Sequence, residues 1–124
     1  KNPDIKIIGA QPAVQSRKNV NHPEANTIDG VLAFKDVPAQ SVPVFFDPEQ
    51  APYDECLDIV AEDAYETGRR LVKSDGVFLG QSAAAALKAA TIIAERPEAA
   101  GKNIAIIMAD NAFKYLSTKM YAEE

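Results

Sequence analysis

The chain is poor in the residues that build disulfides, metal centres and large aromatic surfaces. It has one cysteine (Cys56), one histidine (His22) and no tryptophan among its 124 residues. A single cysteine excludes an intramolecular disulfide and is typical of a reducing compartment, so we expect a cytoplasmic location. Because His22 has no cysteine or histidine partner at ligand spacing, we predict no metal site.

Positive charge and long apolar runs are also scarce. The chain carries 13 basic and 18 acidic residues, a net charge of -5, which argues against a nucleic-acid-binding surface. No apolar run approaches the roughly 20 residues that a membrane-spanning helix needs, so we predict no membrane association. The polar first residues lead directly into a predicted strand, which indicates no signal peptide. Apolar residues still make up 47% of the chain, enough for the core of one domain.

Signals for a reactive nucleophile are weak. Cys56 lies close to Glu55 and Asp58, whose charges would raise the thiol pKa, so we predict an unreactive thiol. The segment 80–84 is similar to a nucleophile elbow but lacks its final glycine, which argues against a hydrolase. The chain also contains neither a Gly-x-Gly-x-x-Gly nor a Walker sequence, so it supplies no phosphate-binding loop of its own.

The order of the predicted elements indicates an α/β fold. Short apolar, β-branched segments predict strands at residues 5–9, 55–60, 77–79 and 103–108. Helical periodicity and terminal signals predict helices at residues 61–74 and 83–96. We therefore predict an open, mostly parallel sheet with helices on both faces. Residues 31–52, which are rich in proline, form an irregular loop in this prediction, and we expect Phe34, Phe45 and Phe46 to be buried in it.

Polar residues follow the predicted strands where ligands bind in open α/β sheets. Ser82 follows strand 77–79 at the mouth of the second helix, and Asp110 follows strand 103–108. Two interpretations of Ser82 stand side by side: a plain helix N-cap, or a hydroxyl that meets a ligand. Residues 27–30 predict a turn whose glycine, Gly30, brings backbone close to another group.

Four segments, at residues 5–12, 28–30, 75–83 and 114–118, occur in an order and spacing that make a family resemblance specific. The chain resembles, from Asn2 to about Thr118, the C-terminal part of the cysteine synthase and cystathionine β-synthase family of pyridoxal-phosphate enzymes. The resemblance implies the C-terminal part of a fold type II large domain, with pyridoxal 5'-phosphate as cofactor.

The resemblance also implies roles for individual residues. The hydroxyl of Ser82 would bond the pyridine nitrogen of the cofactor, Asp110 would lie near the ring edge, and Gly30 would line the side of the amino-acid substrate. A neutral hydroxyl at the nitrogen gives a weaker electron sink than a carboxylate, which suits β-replacement: O-acetylserine or O-phosphoserine plus sulfide gives cysteine. The family's Schiff-base lysine and phosphate loop lie upstream, so we assign no catalytic residue here. The chain has Ala83-Ala84 and Asn111-Ala112 where the family has a glycine.

We expect residues 1–124 to be the C-terminal segment of the cofactor-binding domain of a transferase or lyase. The chain begins at Lys1 without a methionine, so we expect a fragment or subunit whose partner is the lysine-bearing N-terminal portion of the same enzyme. The complete protein is expected to be a homodimer. The alternative is a half-domain without cofactor that acts as a binding or scaffold module. Retention of Ser82 and Gly30 favours the enzyme, and the missing glycines favour the module.

Overall fold

Two parallel strands and two helices form the core of the computed structural model, which describes residues 2–122. The strands are β1 (Ile8–Pro12) and β2 (Glu55–Ile59), and the helices are α1 (Ala61–Asp75) and α2 (Gln81–Ala94). Within residues 2–122, four single turns of 3-10 helix complete the elements: Val14–Ser16, Ala39–Ser41, Pro97–Ala99 and Phe113–Tyr115. The predicted α/β class with a parallel sheet is confirmed.

Strand β1 pairs with β2 in parallel, from Ile8 opposite Glu55 to Pro12 opposite Ile59. The strand begins three residues later than the sequence predicts. The backbone N–H of Ile7 donates to a carboxylate oxygen of Asp54 at 2.7 Å and takes no part in the ladder. The Asp54 side chain therefore takes the N–H of Ile7, while the Ile7 carbonyl accepts from the backbone N–H of Asp54 at 2.8 Å.

Local sequence signals predict helix α1 at residues 61–74, one residue short of its observed end at Asp75. Gly76 ends the helix in the left-handed conformation, with φ of +69°, and its N–H donates to the carbonyl of Val72 at 3.0 Å. Ala64, Tyr65 and Gly68 are buried along the predicted face. Helix α2 begins at Gln81, two residues earlier than predicted.

The core lies where α2 contacts both strands and α1. Its buried residues are Ile28, Ile59, Ala61, Ala64, Tyr65, Ala84, Ala85, Ala89 and Met120. Gly68 lets α1 approach α2 closely, and the terminal methyl of the fully buried Met120 fills the space that a side chain would need. Small residues at the crossing of α1 and α2 therefore set the separation of the two helices. No helix within residues 2–122 is both long and apolar enough to cross a bilayer.

Two predicted strands do not form in the described structure. Residues 77–79 contribute only an isolated antiparallel bridge, between Leu79 and Asn111. Residues 103–108 join no ladder, and Ile107 is 84% exposed. A strand needs a hydrogen-bonded neighbour, and β1 and β2 pair only with each other among residues 2–122.

The loop at residues 31–52 is irregular, as predicted, and carries an aromatic cluster. The ring centroid of Phe34 lies 4.6 Å from that of Phe46 and 5.3 Å from that of Tyr53. The expected burial of Phe45 is wrong, because its side chain is 99% exposed. In the turn closed by the N–H of Phe46 and the carbonyl of Pro43, only Phe46 reaches the cluster.

Candidate functional site

The candidate site lies at the N-terminal end of α2. Gly80 is the N-cap residue and Ser82 is the second residue of the helix, so the N-cap interpretation of Ser82 is wrong. Ser82 is half-buried. Its hydroxyl is therefore held on the first helical turn, beside the backbone N–H groups that a helix leaves without internal partners.

Gly30 lies directly opposite Ser82. It sits in the turn closed by the N–H of Val31 and the carbonyl of Ile28, and its φ is +85°, a conformation that favours glycine. A Cβ atom added to Gly30 would lie 3.8 Å from the Cβ and 3.9 Å from the Oγ of Ser82. The structure thus brings two predicted site residues together, with room between them for the methyl group that glycine lacks.

Asp110 is tied to the turn that precedes Ser82. Its carbonyl accepts from the N–H of Gly80 at 3.2 Å, and its carboxylate accepts from the hydroxyl of Tyr115 at 2.8 Å. The carboxylate also packs onto Gly80, where an added Cβ would come well under 3.0 Å from it. The hydrogen bond to Asp110 raises the pKa of Tyr115, so the phenol stays neutral. Asp110 therefore anchors Tyr115 to the start of α2, and its role at a cofactor ring stays a prediction.

Gln81 is a residue of the site that the sequence reasoning missed. Its side chain is buried, with 2% exposed, between Gly80 and Ser82. The amide oxygen accepts from the N–H of Asp29 at 2.8 Å, and the amide nitrogen donates to the hydroxyl of Thr118 at 3.3 Å. One sign of it is present in the sequence: Gln81 is a single amide residue between Leu79-Gly80 and the alanines that follow Ser82.

The segment after Asp110 closes over the start of α2. The hydroxyl of Tyr121 donates to the carbonyl of Leu79 at 2.6 Å, and Asn111 Oδ1 accepts from the N–H of Phe113 at 3.0 Å. Ala112 is fully buried. The departure from glycine at Asn111-Ala112 is thus accommodated, because the asparagine caps the following turn and the alanine packs inside.

Cys56 and His22 lie outside this site. Burial is the main cause that raises the pKa of the Cys56 thiol, and the Asp58 charge adds to it. The predicted direction of the pKa shift agrees, with burial as the first cause and Asp58 as the predicted charge that contributes. The Glu55 carboxylate is instead held by Arg96 at 2.7 Å. In the part of the chain that the structure describes, no three His, Cys, Asp or Glu side chains cluster as metal ligands would.

Comparison with known proteins points to one family. The chain is 31% identical to a cysteine synthase of Aquifex aeolicus over 99% of its own length and 34% of that protein. It is 36% identical to cysteine synthase A of Escherichia coli over 56% of its length and 22% of that protein. No protein-family profile matches the chain.

Solved structures give the same result. The chain superposes on cysteine synthase (OASS) from Entamoeba histolytica with a TM-score of 0.72 and 33% identity, covering 99% of this chain and 35% of that one. It also superposes on an O-ureido-L-serine synthase with a TM-score of 0.71 and 25% identity, over 96% of this chain and 35% of that one. The chain spans about a third of the length of these relatives. The chain is similar to the C-terminal part of the cysteine synthases, as its motifs predict.

Proposed function

We propose that the chain is the C-terminal segment of the cofactor-binding domain of a pyridoxal-phosphate β-replacement enzyme. Its substrates would be O-acetylserine or O-phosphoserine and sulfide, and its product cysteine. The observation that carries this proposal is the pairing of Ser82 and Gly30, which come from segments 52 residues apart and face each other across a gap that would just hold a methyl group. The similarity to cysteine synthases supplies the class of reaction.

The chemistry of Ser82 and Gly30 suits the cofactor. Ser82 would donate a hydrogen bond to the ring nitrogen, Asp110 would lie near the ring edge, and Gly30 would admit the amino-acid substrate because it has no side chain. When bound, the cofactor supplies an electron sink for loss of a leaving group from the β carbon of the substrate. Ser82 is a neutral donor and would leave the ring nitrogen unprotonated, whereas a carboxylate there would favour its protonation.

The lysine that binds the cofactor and the loop that binds its phosphate would come from an N-terminal portion of the same enzyme. Exposed apolar side chains support such a partner: Ile5, Ile7, Ile104, Ile107 and Met108 are all at least 40% exposed. Monomeric soluble proteins rarely expose large contiguous apolar patches, and these five residues fall within two short segments. We call the chain combined with this portion the assembled protein, and propose that it is a cytoplasmic homodimer.

The test is to combine the chain with its N-terminal portion and pyridoxal phosphate and to record the visible absorbance of the bound cofactor. We expect a band in the assembled protein, and a changed band position with weaker cofactor retention in Ser82→Ala. Ser74→Ala, at the far end of α1, is the matched control and should leave the band unchanged. Association of the two portions without any band would refute the proposal and favour the scaffold module.

A further inference from the structure

The side chain of Gln81 joins two segments that are remote in sequence. It accepts from the N–H of Asp29, 52 residues away, and donates to the hydroxyl of Thr118, 37 residues away. The side chain is 2% exposed. A buried amide whose two ends are both bonded is held in one orientation, so it can fix the position of its partners.

The chemistry of the partners determines which way the amide points. The Thr118 hydroxyl donates its proton to the carbonyl of Tyr115 at 2.6 Å, so it has only lone pairs to offer Gln81. The backbone N–H of Asp29 can only donate. The NH2 group of Gln81 must therefore face Thr118, and its carbonyl oxygen must face Asp29.

Asp29 immediately precedes Gly30, which forms the wall opposite Ser82. Gln81 immediately precedes Ser82 on the first turn of α2. Ser82 thus forms one wall of the candidate site, and its neighbour Gln81 is bonded to the opposite wall. The hydrogen bond between Gln81 and Asp29 joins the two walls directly.

We propose that Gln81 is a positioning residue for the substrate-side loop at residues 27–31, an inference that rests on the proposed function for its kinetic consequence. The hydrogen bond to Asp29 holds Gly30 at the distance from Ser82 that the amino-acid substrate requires. The bond to Thr118 only orients the amide. Loss of the acceptor for Asp29 should therefore weaken substrate binding, while the chemistry at the cofactor continues.

The test compares three variants of the assembled protein. Gln81→Leu removes both hydrogen bonds; Gln81→Glu keeps an acceptor for Asp29 in either protonation state. Thr118→Val is the matched control, because it removes the orienting contact but leaves the acceptor. Loss of the hydrogen bond to Asp29 predicts that KM for O-acetylserine rises roughly 3- to 10-fold in Gln81→Leu, while kcat changes much less. Gln81→Glu should restore most of the affinity, and Thr118→Val should stay near the wild-type KM.

A second measurement needs neither cofactor nor turnover. Hydrogen exchange at the Asp29 amide should become faster in Gln81→Leu and stay protected in Gln81→Glu and Thr118→Val. An unchanged KM with a protected Asp29 amide in Gln81→Leu would overturn the proposal. So would an equal rise in KM in Thr118→Val, since that result would assign the effect to the C-terminal segment. If the wild-type protein shows no cofactor band, the proposed function fails, and exchange at Asp29 still decides whether Gln81 holds the loop.

Discussion

The close packing of Gly68 against Met120 gives a prediction whose size follows from the structure. In Gly68→Ala, the new Cβ would come well under 3.0 Å from the terminal methyl of Met120 and to 3.2 Å from the Cβ of Ala84. Met120 is fully buried, so its displaced methyl would have to move within the core. Although the methyl ends a flexible side chain, its displacement must disturb the core.

Two opposing terms set the expected change in the free energy of unfolding. Alanine is favoured over glycine inside a helix by about 1 kcal/mol, and overpacking a core costs about 1–3 kcal/mol. The middle of the overpacking range is about 2 kcal/mol, and the helix preference of alanine offsets about 1 kcal/mol of it. We therefore expect Gly68→Ala to destabilise the protein by about 1 kcal/mol. Met120→Ala alone should cost about 2–5 kcal/mol through the cavity it leaves.

The double variant is the decisive measurement. In a Met120→Ala background the new methyl at residue 68 meets no side chain from residue 120, so Gly68→Ala should become neutral or stabilising. This corresponds to a coupling of about 1–3 kcal/mol between the two positions. Urea unfolding of the four assembled proteins, followed by circular dichroism, measures it, and Glu66→Ala on the exposed side of α1 is the control. A coupling below about 0.5 kcal/mol would refute the packing described here.

Two further predictions concern the ion pair between β2 and the end of α2, and the chain in isolation. The hydrogen bonds from Arg96 lower the pKa of Glu55 below its ordinary value of 4.5. The pair therefore stabilises the fold above that value and stops doing so as the pH falls through the lower folded pKa. Glu55→Gln should flatten the dependence of urea stability on pH in this acidic range, and an unchanged slope would contradict the assignment. The isolated chain, with Ile107 exposed, should self-associate or unfold without cooperativity in sedimentation and thermal melts, and a monomeric, cooperative transition would argue against the proposed N-terminal partner.

The helices could be predicted from the sequence because their signals are local. The acidic first turn of α1, the glycine at residue 76 and the face formed by Ala64, Tyr65 and Gly68 all lie within the helix or next to it. Local signals could not decide whether the segments at residues 77–79 and 103–108 form strands. Apolar, β-branched sequence shows that a segment can pair, but pairing also requires a neighbouring strand at hydrogen-bonding distance.

In the candidate site, too, local motifs could be predicted and contacts between remote segments could not. Ser82 and Gly30 follow from the motifs, but their approach to within van der Waals distance depends on how the loop at residues 27–31 folds over α2. Gln81 gave no comparable signal, because a polar residue at a helix start is ordinary. Its role becomes visible only when Asp29 and Thr118, remote in sequence, are found on either end of its amide.

The first residues of α2 organise the site because successive helical positions point in directions about 100° apart. Gly80 faces the carboxylate of Asp110, Gln81 faces Asp29 and Thr118, and Ser82 faces Gly30. A shift of the helix by one residue would turn Gln81 and Ser82 away from their partners together. The hydrogen bond from Gly80 N–H to the carbonyl of Asp110 fixes that start. The lack of a side chain at Gly80 is what permits it, since the Asp110 carboxylate occupies the space that any Cβ would need.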